Sequence, residues 1–94
     1  MSETIALHVT ITGRVQGVWY RGWTAEQAQM RGLTGWVRNR CDGSVEAVFC
    51  GPAPLVTEML AICRHGPPAA IVTAVETQEI LDTDFLDFQR RPTV

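Results

Sequence analysis

The sequence predicts an α+β fold of the ferredoxin-like type, a βαββαβ sandwich with two helices on one face of a mostly antiparallel sheet. Three observations predict it. Ile5, Leu7, Val9 and Ile11 alternate with Ala6, His8, Thr10 and Thr12, the period of a half-buried strand. Asp42-Gly43 lies between two strand-like runs and is a strong hairpin-turn signal. A helical stripe then follows the hairpin, and a β-branched run follows the helix. Ninety-four residues suffice for one domain, 1–94, with a core that needs no metal or disulfide staple.

Each element has its own signal. The first strand runs over Ile5–Ile11, and Gly13 to Tyr20 form a glycine-bearing connection. Thr24 and Gln27 fit a capping box, Ala25 and Ala28 favour a helix, and Gly32 supplies a left-handed stop. Trp36–Arg40 and Ser44–Phe49 are the arms of the hairpin. Alternation places Val37 and Asn39 on one face and Trp36, Arg38 and Arg40 on the other. Pro52 and Pro54 suit the first turn of a second helix, whose stripe is Leu55, Val56, Met59, Leu60, Ile62 and Cys63. Gly66-Pro67-Pro68 ends it. Ile71–Ile80 reads as a strand and Phe85–Arg91 as a shorter last one, leaving open whether the fourth β region is continuous. Only the first four and last few residues lack a reason to be ordered.

Composition removes whole classes of function. Eight basic residues against ten acidic give a charge of -2, the wrong balance for a nucleic-acid backbone binder. All eight are arginines, so lysine-dependent chemistry is excluded, from Schiff bases to the phosphate-binding P-loop. No apolar run approaches the roughly 20 residues of a membrane span, and the start, Met1-Ser2-Glu3-Thr4, has no leader pattern. Cys41, Cys50 and Cys63 form no C-x-x-C pair and are odd in number. They read as reduced thiols of a cytoplasmic protein, without a zinc site. His8 and His65 fit no triad spacing.

The segment Gly13-Arg14-Val15-Gln16-Gly17-Val18-Trp19-Tyr20-Arg21 is the unusual one. It joins the end of a strand to the start of a helix, where amides lack intrahelical partners and the dipole favours an anion. Gly17 can take positive φ and let successive amides converge. Arg21 stands where the dipole disfavours a cation by about 0.3–1 kcal/mol. An anion between the guanidinium and the amides reverses that conflict; an ordinary surface turn with a solvated arginine is the alternative reading. Asn39, the sole asparagine, shares the helix-side face with Val37. It is either turn chemistry or a carboxamide able to accept from and position a water.

At these two segments the sequence resembles the acylphosphatase family. Gly13 to Arg21 matches its signature G-R-V-Q-G-V-aromatic-aromatic-R, and Gly35-Trp36-Val37-Arg38-Asn39-Arg40-Cys41-Asp42-Gly43-Ser44-Val45-Glu46 matches G-W-V-R-N-x-x-D-G-x-V-E. Gly51-Pro52 and Gly66-Pro67-Pro68-Ala69 are similar too, and the likeness runs from about Leu7 to Phe88. It implies hydrolysis of small-molecule acylphosphates to a carboxylate and inorganic phosphate, without metal or cofactor. Val15, Gln16, Gly17, Val18, Trp19 and Tyr20 would bind phosphate through their amides together with Arg21, and Asn39 would orient the water. A carboxylate leaves readily, so positioning and charge stabilisation suffice.

Two departures stand out. The family commonly has threonine where this chain has Arg40 and an aliphatic residue where it has Arg90; the first reads as a solvated strand residue, the second as a matter of strand packing. An RNA-binding ferredoxin-like domain is the rival use of Trp19 and Tyr20, but the third strand offers only Phe49 as a further aromatic. A phosphate-binding module inside a larger carbamoyltransferase is another, disfavoured by the free-standing length. The expectation is a monomer that binds neither nucleic acid nor membrane.

Overall fold

In the computed structural model, residues 3–94 are described. The element order is β1 (Thr4–Arg14), α1 (Tyr20–Met30), β2 (Thr34–Asn39), β3 (Val45–Pro52), α2 (Ala53–Cys63), β4 (Ile71–Ile80) and β5 (Phe88–Arg90). The sheet order is β4-β1-β3-β2-β5. All pairings are antiparallel except β2 with β5. This is the ferredoxin-like α+β arrangement the alternation pattern predicts, with one short parallel strand added at the edge.

The core forms where both helices meet one face of the sheet. Val9, Ile11, Val37, Val45, Ala47 and Phe49 from the strands are buried against Ala28, Val56, Met59 and Cys63 from the helices. β3 is the central strand and Val45–Cys50 is buried throughout, so apart from Glu46 both of its faces are apolar instead of alternating. β4 matches its predicted bounds and is largely exposed along one edge of the sheet.

Three expectations need correction. α1 starts at Tyr20, not Thr24, and no side chain caps it. Tyr20, Thr24 and Ala28, spaced four apart, are its inward stripe, so Thr24 is buried in the helix and no capping box forms. The Tyr20 hydroxyl donates to the Cys63 carbonyl at 2.5 Å, pinning the start of α1 to the end of α2. Burial pushes the Tyr20 phenol far above its usual range and the Cys63 thiol up to about 12. The last strand is only Phe88–Arg90, because 81–87 leaves the sheet. The final residues are tied down: Val94 N–H donates to Asn39 O at 3.1 Å, and Cys41 N–H to Val94 O at 2.6 Å. Gly32 does supply the left-handed stop, at φ 69.

The sheet face away from the helices carries a paired polar cluster. The Glu46 carboxylate accepts from Arg38 Nε at 2.7 Å and from His8 Nε2 at 2.6 Å. The Arg38 and Arg91 guanidinia lie 4.7 and 4.9 Å from the Trp36 ring centroid. Burial would raise the Glu46 carboxyl, but His8 and Arg38 outweigh it and hold it below its usual value.

Candidate functional site

Between the end of β1 and the start of α1 the chain must turn through Val15–Trp19. Gly17 does so at φ 74, with nothing within 4 Å of where a Cβ would sit, so glycine is needed there for conformation and not for space. Trp19 repeats the left-handed conformation at φ 66 and ψ 22. For a residue with a side chain this costs on the order of 1 kcal/mol. Nothing in the sequence marks it, since tryptophan has no preference for that region. The amides of residues 16–19 donate to no backbone acceptor among the described residues.

Side chains brace this loop from behind. Gln16 Nε2 donates to Arg40 O at 2.7 Å and to Ser44 O at 2.8 Å, so its carboxamide ties the loop to the hairpin. Val15 and Tyr20 are buried in the core, and Val18 packs against it. The Trp19 indole is exposed and lies over Gly22, where a Cβ would come within 2.2 Å of its Nε1. Only a glycine permits that approach.

A cavity of about 220 Å³ opens in front of the loop. Val15, Gln16, Gly17, Trp19 and Tyr20 line it together with Arg21 and Asn39. The two motifs, separated in the sequence, thus meet in space. Val18 is the one predicted residue that does not border the cavity. Gly22 and Arg90 do border it, and the sequence reading missed both. For Arg90 the signal was available: it shares a strand face with Phe88, which is buried against the core. That face continues past the core to the cavity. Arg40 lies beyond the end of β2, half-exposed, its Nε 4.0 Å from Asp42 Oδ2.

The polar atoms of the cavity are under-satisfied. Arg21 Nη1 donates to Arg91 O at 3.2 Å, which holds the guanidinium, but its Nε is buried without a partner. Asn39 Oδ1 is also buried without one. An orphaned buried donor or acceptor costs about 1–3 kcal/mol, more when charged. Here a cationic donor and a neutral acceptor are left open around one space, beside unpaired loop amides. That arrangement can hold an oxyanion and, next to it, a hydrogen-bond donor such as water. None of the lining residues is a carboxylate, imidazole or thiol, and among the described residues no three His, Cys, Asp or Glu side chains come together.

Comparison with known proteins shows what the chain as a whole is similar to. Residues 7–89 match the family model described as acylphosphatase. An acylphosphatase of Rhizorhabdus wittichii is 50% identical over 92 residues, covering 98% of this chain and 93% of that protein. An acylphosphatase of Rhodopseudomonas palustris is 56% identical over 90 residues, covering 96% and 89%. The solved structure of an acylphosphatase from Coxiella burnetii superposes with a TM-score of 0.91 at 39% identity, over 94% of this chain and 93% of that one.

Proposed function

The chain belongs to the acylphosphatase family and is an enzyme of that activity, and we propose that the cavity between the 15–20 loop, Arg21 and Asn39 is where the acylphosphate is cleaved. The phosphoryl oxygens sit among the amides of residues 15–20 and against the Arg21 guanidinium. Asn39 Oδ1 accepts from a water and aims it in line at phosphorus. The water oxygen forms the new P–O bond as the bond to the carboxyl oxygen breaks; the carboxylate leaves with the electron pair. A phosphoryl oxygen takes the water's proton, so no protein acid or base is required. Both products are accounted for, a carboxylate and inorganic phosphate.

One observation carries this reading: Arg21 Nε and Asn39 Oδ1 are buried, unpartnered and share one cavity. A fixed donor already aimed at the transferred group is worth about 2.7–4 kcal/mol in comparable oxyanion sites, because it needs no reorganisation. The lining offers no hard metal-binding set, so we propose metal-independent turnover. We also propose a monomer, and three free cysteines support a reducing, cytoplasmic setting. The test is hydrolysis of benzoyl phosphate by purified protein, followed by loss of acyl-phosphate absorbance with and without EDTA. Turnover that survives chelation and is competitively inhibited by inorganic phosphate is expected. Turnover abolished by EDTA would overturn metal independence, and inhibition by phosphate that is not competitive would overturn the assignment of the cavity.

A further inference from the structure

Arg90 and Arg91 are neighbours with opposite surroundings. β5 runs parallel to β2 with Arg90 opposite Val37, two residues before Asn39 on the same strand face. Arg91 turns to the other face, where its guanidinium lies against Trp36. Arg90 points to the cavity side and borders the cavity with Arg21 and Asn39. It makes no ion pair or side-chain hydrogen bond among the described residues and is exposed. Arg21 and Arg90 are the only charged groups in the lining, and both are cations.

Depth separates their tasks. Arg21 Nε and Asn39 Oδ1 are buried at the floor, whereas Arg90 is exposed and so belongs to the rim. About 220 Å³ equals roughly seven water volumes, more than a phosphoryl group fills. With the phosphoryl group on the floor, the acyl part of the substrate must extend toward the rim. Two like charges in one cleft without a carboxylate also concentrate anions there.

We propose that Arg90 is a specificity-determining residue that selects acylphosphates carrying a second anionic group, a carboxylate or phosphate, on the acyl side. This rests on the assignment of the cavity as the cleavage site. A guanidinium on an open rim gains from such a group what an exposed ion pair gains, and it acts largely on encounter and KM.

The test compares succinyl phosphate, whose acyl end is a carboxylate, with butyryl phosphate, which has the same chain length and no charge. The readout is the ratio of their kcat/KM values in wild type, Arg90→Gln and Arg90→Lys. Arg90→Gln should lower the succinyl-to-butyryl ratio about fivefold, mainly through KM, and Arg90→Lys should restore most of it. The wild-type ratio should shrink as salt rises from about 0.05 to 0.5 M, since screening acts on exposed charges. A ratio unchanged by Arg90→Gln overturns the proposal, whether both substrates slow equally or neither does. Failure of the underlying assignment looks different: Arg21→Ala would then leave the turnover of both substrates intact.

Discussion

The two faces of the sheet handle their charged groups in opposite ways. On the open face, Glu46 accepts from both His8 and Arg38, and the Arg38 and Arg91 guanidinia lie against Trp36. On the helix side, Arg21 Nε and Asn39 Oδ1 are buried with nothing to bond. The first arrangement is complete and contributes to folding. The second leaves hydrogen-bonding groups that folding does not satisfy, and the proposed function assigns them to the ligand. Counting arginines would not separate them; counting satisfied hydrogen-bonding groups does.

Four substitutions test the contrast, in falling order of effect. Arg21→Ala should reduce kcat/KM for benzoyl phosphate about 10³-fold and weaken inhibition by inorganic phosphate, as for removal of a preorganised charged donor. Retention of phosphate inhibition would place the anion elsewhere. Asn39→Ala should lower kcat about 10²-fold with little change in KM, since it acts on the water and not on the bound substrate. A change confined to KM would make Asn39 a substrate ligand instead.

On the opposite face the currency is stability. Glu46→Gln should cost about 1–3 kcal/mol at neutral pH, read from urea unfolding, while kcat stays at the wild-type value. Its carboxyl is depressed in the folded protein. Its contribution is therefore full above the unfolded glutamate value of about 4.3 and is lost as pH falls through the lower folded value. The substitution should flatten the acid limb of stability against pH. A large fall in kcat would mean that the two faces are not independent. Thr24 supplies the smallest effect. Its hydroxyl is buried without a partner in α1, so Thr24→Val should raise the unfolding midpoint by about 4–8 °C, the equivalent of roughly 1 kcal/mol in a chain of this size. A fall would show that the hydroxyl is satisfied in solution.

Regular elements were legible because periodicity reports them directly: β4 runs from Ile71 to Ile80 as its β-branched pattern predicts. The start of α1 was not, because local capping preference pointed to Thr24 while tertiary packing of Tyr20 against Cys63 set the boundary four residues earlier. The meeting of the 13–21 and 35–46 segments was implied by the family resemblance, while alternation alone put Asn39 on the face where it borders the cavity. Alternation from Phe88 gives the face of Arg90, but in a three-residue strand nothing local shows that this face continues past the core to the cavity. Trp19 escaped for a different reason, since its left-handed backbone is imposed by the turn and not by its side chain.

The hold on Arg21 comes from the main-chain oxygen of residue 91. Every amino acid carries that oxygen, so the aim of the guanidinium can persist through mutational drift at position 91. The stacking against Trp36 has no such insurance, and evolution is free to rewrite the back of the sheet while the tool at its front stays pointed.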